Sequence, residues 1–122
     1  ESSGPEVMTT ARDAFSNALG DIEPWLRALP VSFCSGNVAV VHAGMDPSLS
    51  LADQPERNLI WGHPDFSRVA REDDLWVIHG HTIVTDPIAE AQRVSIDTGA
   101  YATGRLTAAE VRKNALDFLF SK

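Results

Sequence analysis

The chain has a single cysteine, Cys34, among 122 residues, which excludes an internal disulfide framework and any zinc ribbon built on CxxC pairs. No apolar run approaches the roughly 20 residues needed to span a bilayer. HExxH is missing too, and with it the mononuclear zinc protease class. Cations are few: 10 Lys and Arg stand against 17 Asp and Glu, a formal net charge of −7. They are also scattered, so the clustered positive charge that neutralises nucleic-acid phosphate is lacking. The start, Glu1 followed by SSGPEV, has neither a basic n-region nor an apolar h-region and is no signal peptide. It reads instead as a truncation point. With 43% hydrophobic and 22% charged residues, the expectation is an ordinary cytoplasmic globular chain with no membrane or nucleic-acid partner. Without repeats, low-complexity stretches or a linker, it reads as one unit.

Periodicity supplies the elements. Val7, Met8, Ala11, Ala14, Phe15, Ala18 and Leu19 recur at helical spacing across Pro5 to Leu19, and Gly20 supplies a stop. DIEPWLRAL follows as a short helix, with Asp21 as N-cap and Pro24 in the first turn. After Pro30 the period changes to that of a hairpin, Val31 to Cys34 and Val38 to His42, around Ser35, Gly36 and Asn37. A Pro-rich polar loop leads to a weak helical turn near Arg57 to Trp61. LWVIHG reads as a strand buried on both faces, RVSID as another, and TGAYATG as a turn. RLTAAEVRKNALDFLF is a helix by propensity, but Leu116, Phe118 and Phe120 alternate and RKN offers a turn, which favours a hairpin. Trp25, Trp61 and Trp76 are expected in the core.

The residues with chemistry are His42, His63, His79 and His81, each near a strand end or in a loop. Strand ends open onto the crevices where α/β proteins bind ligands. A neutral imidazole there offers a nitrogen to a divalent metal, or moves a proton when it is not a ligand. In HGH, a continuing strand would aim His79 and His81 to one side, whereas Gly80 permits a turn and close backbone approach.

Four segments in order, VVHAGMDP at Val40 to Pro47, LIWGHPDF at Leu59 to Phe66, VIHGHT at Val77 to Thr82 and SIDTGAYATGRLT at Ser95 to Thr107, together resemble the bacterial serine/threonine protein phosphatases of the phosphoprotein phosphatase family. These belong to the metallophosphoesterase superfamily, whose domains are calcineurin-like α/β sandwiches. The resemblance implies that residues 1–122 are the C-terminal portion of one such domain, with N-terminal helices followed by a mostly antiparallel or mixed β-sheet. It further implies that His42 and His81 ligate one metal of a two-metal centre, with manganese expected and iron or zinc as alternatives. The remaining ligands and the general acid lie in the family's GDxHG, GDxxDRG and GNHE motifs, none of which occurs here. LGDIEPW at Leu19 and SGNVAV at Ser35 are decoys: the first follows a helical pattern, and the second is a hairpin turn with Val38 and Ala39 in place of His and Glu. No catalytic residue is therefore assigned, and the fragment alone is expected to be inactive.

Other roles follow from the resemblance with alternatives beside them. His63 stands near the position where many members carry a phosphate-binding arginine, and either binds phosphate or is merely exposed. His79 either contacts phosphate or is a hydrogen-bonded strand-end residue. Tyr101 is a substrate-side residue or a packing one. Asp97 either orients a ligating imidazole or caps the DTGA turn. The implied activity of the parent is hydrolysis of a phosphorylated protein or peptide; a symmetrical dinucleoside-tetraphosphate hydrolase and a non-catalytic domain are the alternatives. A half-sandwich leaves an apolar face uncovered, so a homodimer of the fragment through that face, or aggregation, is expected.

Overall fold

The computed structural model describes residues 4–121; the expectation about the start of the chain falls partly outside them. Contacts group the chain into two compact units, Glu1–Pro30 and Val31–Lys122. The boundary falls at Pro30, where the sequence pattern changes from helical to strand spacing, although composition gives no sign of it.

The first unit holds α1 (Pro5–Leu19) and α2 (Ile22–Ala28). Gly20 ends α1 at φ +51°, a conformation that glycine adopts without steric cost. Asp21 occupies the N-cap of α2 as expected, but its side chain makes no cap hydrogen bond. Ser16 instead reaches the Glu23 carboxylate, which also pairs with Arg27 one turn on at 2.7 Å. None of the described side chains of this unit is buried. Trp25, expected in a core, is 60% exposed; two short helices do not enclose an indole between them.

The second unit contains a five-stranded sheet ordered β1-β2-β3-β5-β4 and a separate hairpin, β6–β7. The strands are β1 (Ser32–Ser35), β2 (Val38–Val41), β3 (Trp76–His79), β4 (Ile88–Glu90), β5 (Arg93–Ser95), β6 (Thr107–Arg112) and β7 (Ala115–Phe120). The fold is thus mixed α/β, with β2, β3 and β5 parallel to one another and the two outer strands antiparallel. Both predicted hairpins form. The two-residue turn Gly36–Asn37 joins β1 to β2 with Gly36 at φ +58°, and Asn114 at φ +61° turns β6 into β7.

Parallel neighbours cannot be joined by a tight turn. Residues 42–75 therefore make the crossover from β2 to β3, carrying a 3-10 turn (Leu51–Asp53) and α3 (Glu56–Trp61). On one side of the sheet Ala39, Val41 and Val77 meet Met45, Leu59 and Phe66 in the core cluster. The other residues of the alternation, Val40, Ile78 and Val94, share the opposite face by register. Strand β3 is buried on both faces, with Val77 at 0%, Ile78 at 5% and His79 at 7% exposure, as its unbroken apolar run suggests. Among the described residues no helix is long and apolar enough to cross a membrane.

The crossover is fixed by Arg71, a charged residue that is itself buried. Its guanidinium donates to the Asp46 carbonyl at 3.3 Å and the Leu49 carbonyl at 3.0 Å, and pairs with the Asp73 carboxylate. That partner holds the Asp73 carboxyl below the usual carboxylate range. Arg71→Ala would remove the ion pair with Asp73 and one donor from each loop carbonyl, both of which keep the Gln54 Nε2–H donor at 2.8 and 3.0 Å. We expect a loss of about 2 kcal/mol, discounted from the value for a fully buried pair because Asp73 is half exposed; urea unfolding measures it.

Candidate functional site

Three adjacent parallel strands end at one edge of the sheet, and each delivers a polar side chain there. His42 follows β2, His79 ends β3 with His81 two residues on, and Asp97 follows β5. The Gly80 N–H donates to the His42 carbonyl at 2.8 Å, extending the β2–β3 pairing past the strands and bringing the two segments side by side. The imidazoles of His42 and His81 lie 5.1 Å apart between ring centroids, at 66° to each other. Both residues are exposed. They open into a cavity of about 310 Å³ that His79, Asp97 and Arg105 also line.

The turn in HGH is made differently from the expectation. Gly80 is not in the left-handed region, and a Cβ added to it would meet only ordinary contacts at 3.6 Å. His81 makes the turn itself, at φ +66°, a conformation that disfavours a side chain. The left-handed backbone thus falls on a polar residue that lines the cavity, one position after an available glycine. His81→Gly is expected to stabilise the unit by about 0.5–1 kcal/mol while deleting the imidazole; denaturant midpoints compare the two proteins. Unchanged or reduced stability would show that the left-handed backbone carries no cost.

His79 sits in a different environment. Its Nδ1–H donates to the Gly80 carbonyl at 3.2 Å, and the Ser95 hydroxyl donates to Nε2 at 2.9 Å. Phe66 packs edge-on to the ring at 4.8 Å. Burial pushes its pKa down, only partly offset by the bond to Gly80, so the ring is neutral near pH 7. The ring thus occupies a hydrogen-bonded strand-end setting, with both nitrogens engaged by the protein. Ser95, to which the sequence draws no attention, owes its place to the parallel β3–β5 register, in which it stands opposite His79.

Asp97 accepts the Gly99 N–H at 2.9 Å through Oδ1, capping its own turn. A short helix, α4 (Ala100–Thr103), follows where a plain turn is expected.

His63 and Tyr101 do not line the cavity. The Asp65 N–H donates to His63 Nδ1 at 3.2 Å, leaving Nε2 directed at Asp46 Oδ2, 3.6 Å away. Hydrogen bonds from Ser48, with smaller help from His63 and Arg71, hold the Asp46 carboxyl low. His63 thereby ties the loop after β2 to the loop after α3. Tyr101 is 88% exposed. Trp61, expected in the core, is 72% exposed and stands edge-on to His81 at 6.2 Å. It ends a helix of six residues whose buried positions are Asn58 and Leu59, and the sheet-facing side has room for those alone.

Two imidazoles in contact suit two positions on one divalent ion. Among the described residues no group of three His, Cys, Asp or Glu converges to hold a metal. These residues therefore fit part of a metal centre and do not make a complete one. No protein-family model matches the chain, and no curated protein matches it.

Proposed function

We propose that the chain is the C-terminal portion of a metal-dependent serine/threonine protein phosphatase of the metallophosphoesterase superfamily, and that His42 and His81 are two ligands of its metal centre. The observation that carries the reading is the pairing of these imidazoles at the carboxyl ends of adjacent parallel strands, with His81 held in a strained backbone conformation. The four-segment resemblance, in the same order along the chain, supports it.

The residues present divide the labour. His42 and His81 present nitrogens that accept a cation. Buried His79 locks β3 to β5 through Ser95 and so fixes the strand end from which His81 departs. Asp97 shapes the neighbouring turn. When bound in the parent, a pair of divalent ions of manganese, iron or zinc type would supply an activated water for attack on a phosphomonoester. This chain lacks the carboxylates and the general acid that such chemistry needs, so alone it should not turn over substrate.

The test is an assay of the longer protein with manganese on a phosphoserine peptide and on diadenosine tetraphosphate. Hydrolysis of the peptide is the expected result. Turnover of the dinucleotide alone would replace the reading by the hydrolase alternative, and activity on neither would leave a non-catalytic domain.

A further inference from the structure

A left-handed backbone costs a non-glycine residue free energy, so it persists where the surrounding structure over-determines it. At His81 the strain is local and well defined. The Thr82 N–H donates to the Gly80 carbonyl at 2.8 Å across His81 at φ +66°, which closes a γ-turn of the rare, strained form. Upstream, the turn is tied down by the bond from the Gly80 N–H to the His42 carbonyl. Downstream, residues 82–87 lead to β4, and none of them is buried. Their backbone is anchored beyond the turn by the Val84 N–H, which donates to the Asp97 carbonyl at 2.8 Å.

Among the described residues, one side chain from outside this segment hydrogen-bonds to it, that of Arg105. Its Nη1 donates to the Thr85 carbonyl at 3.1 Å and to Asp86 Oδ1 at 2.9 Å. The guanidinium also lies over the Phe120 ring of β7, 4.2 Å from its centroid. Arg105 is itself fixed at its backbone. Its N–H donates to Thr103 Oγ1 at 3.1 Å, and its carbonyl accepts the hydroxyl of buried Thr98 at 2.7 Å. The Thr98 hydroxyl lies 2.7 Å from that of Thr107, the first residue of β6. A rigid base thus reaches across to an otherwise lightly held loop.

We propose that Arg105 is a positioning residue for the histidine pair: by holding Thr85 and Asp86 it keeps the γ-turn at His81 closed and the His81 imidazole beside that of His42. It acts through the loop and not as a ligand, since a guanidinium stays protonated and has no acceptor to offer a cation. The consequence for cation binding rests on the reading of His42 and His81 as metal ligands; the conformational step does not. Both hydrogen bonds leave from one nitrogen, so a planar fork is not required and a lysine ammonium can give them. Arg105→Lys should therefore preserve the turn, whereas Arg105→Met keeps the apolar stem and loses the donors.

NMR of the 122-residue chain tests this without metal. A positive φ brings an amide proton close to the Hα of its own residue, so His81 should give an intense intraresidue NH–Hα cross-peak. Arg105→Met should diminish it while the amide signals of β2, β3 and β5 stay in place, and Arg105→Lys should restore it. Asp86→Ala, at an exposed loop position, breaks the ion pair from the other side and should give the same change in smaller degree. Zinc affinity followed at the two imidazoles should fall by about 10-fold or more in Arg105→Met. A cross-peak undiminished in either variant, or a loss that lysine does not restore, would overturn the proposal, as would an unchanged affinity in Arg105→Met where the wild type binds zinc. If zinc moves neither ring of the wild type, the cation reading fails, while loss and rescue of the cross-peak still uphold the positioning of His81.

Discussion

Gly44→Ala should destabilise the Val31–Lys122 unit by about 3 kcal/mol or more, a value at the upper end for an overpacked core. A Cβ at residue 44 would lie 2.7 Å from Cδ1 and 2.9 Å from Cγ of Phe66. Those are ring atoms of a side chain that is 8% exposed and sits in the core cluster with Met45 and Leu59. The ring cannot swing aside as the end of a flexible chain would, since it also packs edge-on to His79. Relief requires the loop after β2 to move, and this loop begins with His42. The substitution should therefore lower the urea midpoint and also disturb the His42 and His81 imidazoles, which their NMR signals would report. The paired variant Gly44→Ala/Phe66→Leu removes the clashing ring and should recover part of the loss. If Gly44→Ala melts like the wild type, the close packing of Phe66 against this glycine is wrong.

The second large effect concerns activity. On the proposed phosphatase reading, His42→Ala or His81→Ala in the longer protein should reduce kcat on a phosphopeptide by about 10³-fold or more, because each would delete a nitrogen donor from the proposed metal centre. The two variants should differ in stability, however. His42 carries no left-handed backbone, whereas His81 does, so only at position 81 should glycine be more stable than the native residue. A protein made more stable and inactive by one substitution separates a functional histidine from a structural one. His79→Phe gives the contrast: it breaks the bond with Ser95 and should cost stability first, with activity following only through the misplaced strand end.

How much of this was legible in the sequence depends on how each feature is encoded. The first two helices, both hairpins and the strands at LWVIHG and RVSID follow from periodicity and turn residues, which are local signals. Strand β4 was not legible. It has only three residues, and its turn into β5 uses Ala91 and Gln92 at φ +45° and +62°, positions that normally advertise themselves with glycine or asparagine. The burial of Arg71 was hidden in a run of charges, since only the tertiary path of residues 46–54 supplies the carbonyls it binds. Aromaticity misled the reading of Trp25 and Trp61, both of which are exposed. At the site, the positions of His42 and His81 at strand ends were readable, but their approach was not. It depends on β2 and β3 being adjacent and parallel, a long-range pairing that no local pattern specifies.

The central claim is that His42 and His81 act as a pair toward a cation. Titration of the 122-residue chain with zinc, followed by the imidazole nitrogen resonances, tests it most directly. The His42 and His81 signals should move together with one apparent affinity, those of His63 should stay in place, and His42→Ala should abolish the response at His81. A His81 response that persists without His42, or no response at either ring, would contradict the account.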